Sequence, residues 1–103
     1  MGAPMCRNLA RKSGAHVLAF DKEPREVEGV LRAASLQDAA RAEIVFLSLP
    51  GEPEVRAIGT ALLEHARPGQ VVVDCSTSPV SLARELYRAF GEKGAHFADA
   101  PVA

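Results

Sequence analysis

The sequence predicts an α/β fold built on a doubly wound parallel sheet. Short apolar runs alternate with segments of helical period, and Pro- or Gly-containing turns separate them. The run Val71–Val73 has three β-branched residues in a row, which is typical of a strand buried on both faces of a parallel sheet. Ser78 and Pro79 follow as a predicted N-cap and first helical residue. Ligands of such sheets bind where strands end and helices begin, so we expect a site after Val73.

The composition is that of a globular domain and excludes several classes of function. The 103 residues suffice for one domain with a hydrophobic core but not for two. A formal net charge of -1, with charges scattered along the chain, gives no reason to expect a nucleic-acid partner. No apolar run approaches the roughly 20 residues of a membrane span. Cys6 and Cys75 lack metal-ligand spacing, so we expect reduced thiols in a cytoplasmic protein and no metal site.

The chain opens on a predicted helix, although a doubly wound sheet normally begins with a strand. Pro4 suits the start of this helix and Gly14 its end. The apolar run His16–Asp21 ends in an acid, and we predict a strand there. A second helix is predicted from about Pro24 to Arg32, because its apolar residues recur at helical spacing.

The remaining elements repeat the order helix, strand, helix. Ser35 and Asp38 resemble a capping box for a short helix through Arg41. The later predicted elements are a strand over Glu43–Leu49, a helix burying Val55, Ile58, Leu62 and Ala66, the strand at Val71, a helix burying Leu82, Ala83, Leu86 and Phe90 and stopping at Gly94, and a strand over Ala95–Ala98.

Two residues of the first half could hold a dinucleotide. In a dinucleotide-binding βαβ unit, an acid at the end of the second strand accepts hydrogen bonds from the adenosine ribose and repels a 2′-phosphate. Asp21 is placed for that role, which favours NAD over NADP; the alternative is an Asp that only turns a strand into a loop. Gly2 precedes a helix whose free N–H groups could hold a pyrophosphate, although only the last glycine of G-x-G-x-x-G could be present.

The ends of two neighbouring strands supply the other candidates. Leu49 and Pro50 end one, and Ser76 and Thr77 end the next. These residues either face a nicotinamide and its ribose or form a solvated loop beside a helix that Ser78 caps. The three histidines are isolated from one another, and no nucleophile, base and acid stand in a catalytic arrangement. We therefore assign no catalytic residue.

Four segments resemble motifs of the β-hydroxyacid dehydrogenase family, in the family's order and with similar spacing. They are Met1–Leu9, like the tail of G-x-G-x-M-G-x-x-M-x-x-N-L; Phe46–Pro50, like a strand ending in Leu-Pro; Asp74–Pro79, like D-x-S-T-x-P; and Gly94–Val102, like G-x-x-F-x-D-A-P-V-S-G-G cut short. The resemblance covers the whole chain. The family includes 3-hydroxyisobutyrate dehydrogenase and tartronate semialdehyde reductase, with 6-phosphogluconate dehydrogenase as a relative.

This resemblance implies an NAD(P)-binding portion of an oxidoreductase that transfers a hydride between the nicotinamide and a small 3-hydroxy acid. It implies no membrane or nucleic-acid partner and an intact protein that is a homo-oligomer. The roles it implies are Met1 and Gly2 against the pyrophosphate, Asp21 against the adenosine ribose, Leu49 and Pro50 along the cofactor, and Thr77 toward the nicotinamide.

The chain also departs from the family. The first strand and the first two glycines are missing, and Ala103 stands where the substrate-binding Ser usually sits. The catalytic lysine and the all-helical C-terminal domain belong to parts that the chain does not contain. We therefore expect residues 1–103 to be an incomplete NAD(P)-binding Rossmann domain, inactive alone; the alternative is a non-catalytic nucleotide-binding or interaction module, or a truncated remnant. The stretch from Arg32 to Ser35 is shorter than is usual in the family, which predicts that the sheet's edge strand before Ser35 is lost.

The missing strand is central in the strand order 3-2-1-4. Without it, the strands Val17–Phe20 and Ile44–Leu49 lose their shared neighbour, at about 1–3 kcal/mol for each buried backbone group left unpaired. Typical domains are stable by only ~5–15 kcal/mol. We therefore expect the chain to be unstable, partly open or aggregation-prone, or those two strands to slide together.

Overall fold

The computed structural model describes residues 18–20, 31–33 and 35–100. Contacts divide the chain into two compact units, Met1–Ala39 and Ala40–Ala103. Every strand pair in the described residues is parallel, as expected for an α/β sheet. The predicted helices before residue 18 and over 24–30 lie outside the described residues. Within the described ranges, no helix has the length and apolar character needed to cross a membrane.

The first unit contains a parallel strand pair. Strand β1 (Leu18–Ala19) pairs with strand β2 (Leu31–Arg32), with Leu18 opposite Leu31. Two expectations are therefore wrong: the segment up to Arg32 does not stay helical, and the edge strand is not lost. The physical reason is that the parallel ladder supplies partners for the backbone groups of both strands, which outweighs the helical spacing of apolar residues in a short segment.

A single helical turn, α1 (Leu36–Ala39), closes the first unit. The predicted cap is confirmed, because the backbone N–H of Asp38 donates to Ser35 Oγ at 3.2 Å. The helix ends before the predicted Arg41. The carbonyls of Ala40 and Ala42 accept hydrogen bonds from the buried side-chain amide of Gln70, at 2.8 and 2.9 Å, instead of continuing a helix.

The second unit is a parallel sheet of three strands with two helical crossovers. Its elements are β3 (Ile44–Leu47), α2 (Glu52–Leu63), β4 (Val71–Asp74), α3 (Val80–Glu92) and β5 (His96–Asp99). Strand β4 lies between β3 and β5, and the register sets Leu47 beside Asp74 and Asp74 beside Asp99. The three strands thus end level with one another. The ladders place β1 and β3 in separate sheets, so the expected sliding together of these strands is wrong for the described residues.

The core of this unit lies between its helices and sheet. Helix α3 packs on β5 and on α2, and the four residues predicted to face inward from α3 are all buried. Phe90 is fully buried, and its ring stacks on Phe97 with centroids 5.7 Å apart. Gly59 allows the helices to approach closely, because a Cβ there would lie 3.0 Å from Leu86 Cδ2. Helical spacing therefore predicted the buried face of α3, whereas on α2 only Val55 and Leu62 are buried, Ile58 is half-buried and Ala66 lies beyond the end of the helix.

Strand β4 is less uniformly buried than its β-branched run predicts. Val72 and Asp74 are completely buried, whereas Val71 and Val73 on the opposite face are half-buried. The alternation follows from the two-residue period of a strand. Asp74 therefore projects to the same face as Val72, and a carboxylate occupies a fully enclosed position.

Candidate functional site

The carboxyl ends of β3 and β4 bring the predicted strand-end residues to one edge of the sheet. Leu47 and Asp74 are register partners, and the backbone N–H of Cys75 extends the ladder by donating to the Leu47 carbonyl at 2.8 Å. The segments that follow, Leu49–Pro50 and Thr77, therefore begin side by side. This is the position at which parallel sheets bind ligands.

Asp74 shapes the turn that follows β4. Its Oδ1 accepts a hydrogen bond from the backbone N–H of Ser76 at 2.9 Å, and its Oδ2 accepts one from the Ser78 hydroxyl at 3.0 Å. A carboxylate that holds the N–H two residues on forms an Asx-turn. Asp74 has no exposed surface, so these bonds supply the polar partners that a buried carboxylate requires.

The predicted cap at Ser78 is wrong by one position. Pro79 is the N-cap of α3 and Val80 its first residue, and no side chain caps the helix. The carbonyl of Pro79 accepts from the N–H groups of Leu82 and Ala83. The physical reason is that the Asp74 carboxylate holds Ser78 in the preceding turn through its hydroxyl, so that the helix begins after Pro79.

A hydrogen bond across the two loops links them directly. The backbone N–H of Leu49 donates to Ser76 Oγ at 2.8 Å. Ser76 is 5% exposed, so water does not compete freely for this hydroxyl. One of the two earlier interpretations was a solvated loop, and the burial of Ser76 excludes it for that residue. Thr77 is exposed and Leu49 is half-buried.

The polar groups at this edge favour a neutral or hydroxyl-bearing part of a ligand over a phosphate. The N–H of Leu49 is engaged by Ser76, and Pro50 has no N–H to offer. The first turn of α2 carries Glu52 and Glu54, which oppose an anion at that helix terminus. The exposed Thr77 hydroxyl can donate to or accept from a ligand. The edge therefore suits an uncharged, hydroxyl-bearing ligand group better than an anionic one.

Cys75 follows the buried Asp74 and is itself half-buried. Burial, and after it the negative charge of Asp74, raises the pKa of the Cys75 thiol. A thiol with a raised pKa keeps its proton and reacts slowly. In the described part of the chain, no three His, Cys, Asp or Glu side chains are grouped so that they could hold a metal ion.

Four predicted site residues lie outside the described residues: Met1, Gly2, Asp21 and Ala103. The structure brings together the other three, Leu49, Pro50 and Thr77. Sequence reasoning missed the anchoring roles of Asp74 and Ser76. The spacing Asp-x-Ser directly after a strand is the signal that could have indicated an Asx-turn.

A comparison with protein families decides the assignment. The family described as the NAD binding domain of 6-phosphogluconate dehydrogenase matches residues 1–103, which is the whole chain. The chain belongs to this family. The expected resemblance to β-hydroxyacid dehydrogenases, the Rossmann-like fold and a nicotinamide dinucleotide as the cofactor of the family are thereby confirmed.

Individual relatives of this NAD-binding domain are dehydrogenases. An NAD-dependent L-serine dehydrogenase of Pseudomonas aeruginosa is 36% identical and a 3-hydroxyisobutyrate dehydrogenase of the same organism 33% identical, each over 99% of this chain. The solved 3-hydroxyisobutyrate dehydrogenase of Mycobacterium tuberculosis with L-serine aligns with a TM-score of 0.86, 36% identity and full coverage of this chain. The chain spans 37% of the length of each of these proteins.

Proposed function

We propose that residues 1–103 form the NAD(P)-binding domain of an oxidoreductase that transfers a hydride between a nicotinamide cofactor and a small 3-hydroxy acid such as 3-hydroxyisobutyrate. The observation that carries the proposal is the meeting of Leu49, Pro50 and Thr77 at the carboxyl edge of β3 and β4, in a chain of an NAD-binding family. The relatives' names, L-serine dehydrogenase and 3-hydroxyisobutyrate dehydrogenase, support a small hydroxy acid as the substrate class.

Two sets of residues contact the two halves of the dinucleotide. In this proposal the nicotinamide half lies along Leu49 and Pro50, with Thr77 hydrogen-bonded on the nicotinamide side. The pyrophosphate lies against Met1 and Gly2, and the adenosine ribose against Asp21. The absence of free N–H donors at Leu49–Pro50 and the acidic start of α2 support placing the phosphates away from β3. When bound, the cofactor supplies or accepts the hydride.

We propose that the proton of the reaction comes from a residue other than the described ones. Lys93 is the lysine within the described residues. It donates to the Leu63 carbonyl at the end of α2, whereas the strand-end loop of Leu49 and Pro50 precedes the start of that helix. We propose that a lysine in a further, all-helical C-terminal domain is the general acid/base, and that the position of Ala103 borders the substrate. We also propose that the whole protein is a cytoplasmic homo-oligomer and that this domain alone binds cofactor without turnover.

The experiment that tests this function is a comparison of NADH with NADPH. We expect the chain to bind NADH saturably and NADPH at least about tenfold more weakly, because a carboxylate at Asp21 binds ribose hydroxyls and repels a 2′-phosphate. Cofactor fluorescence during titration measures both dissociation constants. Asp21→Asn is expected to reduce the discrimination severalfold.

The matched control is Glu92→Gln, which removes one negative charge from an exposed position at the end of α3. It should leave the ratio of the NADH and NADPH dissociation constants unchanged if local contacts rather than net charge set the preference. Equal or tighter binding of NADPH by the parent chain would overturn the NAD preference. Failure of both cofactors to saturate a chain that shows a cooperative urea transition would overturn the function itself.

A further inference from the structure

The last residue of β4 and the turn that follows it contain two buried polar side chains, Asp74 and Ser76. We propose that Asp74 and Ser76 are positioning residues that lock the loop after β3 onto the loop after β4, so that Leu49, Pro50 and Thr77 present one fixed surface to the cofactor. We name the pair Asp74 and Ser76 the loop tether. The inference rests on the proposed function, which places the cofactor along that surface.

Asp74 is tied to both neighbouring strands by backbone hydrogen bonds. Its carbonyl accepts from the N–H of Ala100 at 2.7 Å, and the next residue's N–H bonds to Leu47 on the other side. Its side chain has no exposed surface. The carboxylate is therefore fixed relative to both flanking strands, and through Oδ1 it fixes the backbone of Ser76.

Ser76 links Asp74 to the loop after β3, through a bond to a residue that lies 27 positions earlier in the sequence. Its Oγ accepts the N–H of Leu49 at 2.8 Å. Because Pro50 follows and has no N–H, Leu49 carries the single backbone donor of that dipeptide. Without the Ser76 hydroxyl, this donor would have to turn toward water, and the loop after β3 would lose its link to β4.

Ser76 and Ser78 have different roles in this turn. The hydroxyl of Ser78 donates to Asp74 within the same turn, whereas Ser76 Oγ accepts from the loop after β3. Pro50 and Thr77, which follow the hydrogen-bonded residues Leu49 and Ser76, are exposed. The hydrogen bonds of Asp74 and Ser76 therefore fix the positions of exposed residues. Binding sites depend on such pre-organised positions.

The test compares two serine-to-alanine variants of the full chain. Ser76→Ala removes the hydroxyl that joins the loops. Ser78→Ala is the matched control, because it also removes one hydroxyl bonded within the same turn but breaks no bond to the loop after β3. Ser76→Thr, which restores a hydroxyl at the same position, is the conservative rescue.

The readouts are the NADH dissociation constant, the urea midpoint and hydrogen exchange at the Leu49 amide. For Ser76→Ala we expect NADH binding about 3- to 10-fold weaker and a Leu49 amide that exchanges at least about tenfold faster. For Ser78→Ala we expect less than about a twofold change in both. Both variants should lower the urea midpoint by similar amounts, and Ser76→Thr should recover most of the affinity.

Two results would overturn the loop tether. One is a Leu49 amide that exchanges as fast in the parent chain as in Ser76→Ala. The other is equal weakening of NADH binding by both alanine variants, since binding would then follow stability alone. A parent chain that binds no NADH would overturn the proposed function instead, and the Leu49 amide would still decide whether Ser76 couples the two loops.

Discussion

Phe90→Ala is expected to lower the free energy of unfolding of the unit Ala40–Ala103 by about 3–5 kcal/mol. Phe90 has no exposed surface and stacks on Phe97, with ring planes 17° apart. The substitution removes the side chain that joins α3 to β5 and leaves a cavity that closely packed neighbours can fill only in part. Urea denaturation followed by circular dichroism measures the loss.

The control for Phe90 is Tyr87 on the same helix. Its side chain is 66% exposed, so Tyr87→Ala deletes an aromatic ring without opening a cavity. We expect a change within about 0.5 kcal/mol for this variant. A Phe90→Ala chain as stable as Tyr87→Ala would show that α3 does not pack on β5 as described. A large loss would also matter for function, because α3 begins directly after the turn that holds Thr77.

Asp74→Ala is expected to cost about 2–4 kcal/mol. The substitution leaves the buried N–H of Ser76 and the hydroxyl of Ser78 without their acceptor. It also empties part of a fully enclosed position. Denaturation in urea reports the stability, and exchange at the Ser76 amide reports the missing acceptor directly.

Asp74→Asn is the informative companion to Asp74→Ala. The amide oxygen can still accept from the Ser76 N–H, and the amide nitrogen can donate to the Ser78 oxygen once that hydroxyl rotates. We expect a loss of only about 1 kcal/mol, because neutral hydrogen bonds replace charge-assisted ones. If Asn were as damaging as Ala, the contribution of Asp74 would come from its charge rather than from hydrogen bonding.

The elements predicted well from the sequence are those with strong periodicity. Helix α3 has buried residues at helical spacing, and all four predicted inward residues are buried. Strand β2 was missed because two residues are too short for any strand period, and its stability comes from pairing with β1 rather than from local preference. The start of α3 was also predicted one residue too early, since the Asp74 carboxylate that holds Ser78 in the preceding turn lies four residues before it.

The candidate site could be predicted to the level of strand ends but not of individual bonds. Parallel strands end at one edge, so the meeting of Leu49 and Thr77 follows from topology alone. The bond between Leu49 and Ser76 joins residues 27 apart and depends on the register of β3 against β4. That register has no signature in either strand taken separately. The buried polar anchors therefore emerge only from the structure.

The central claim is that the cofactor lies at the carboxyl edge of β3 and β4. The most direct test is a titration of the ¹⁵N-labelled chain with NADH, followed through the backbone amides. We predict that the Thr77 and Leu49 amides shift with one shared saturation curve, while Gly69, just before β4 at the opposite edge, does not. Saturable binding that shifts Gly69 and leaves Thr77 and Leu49 unmoved would contradict the claim.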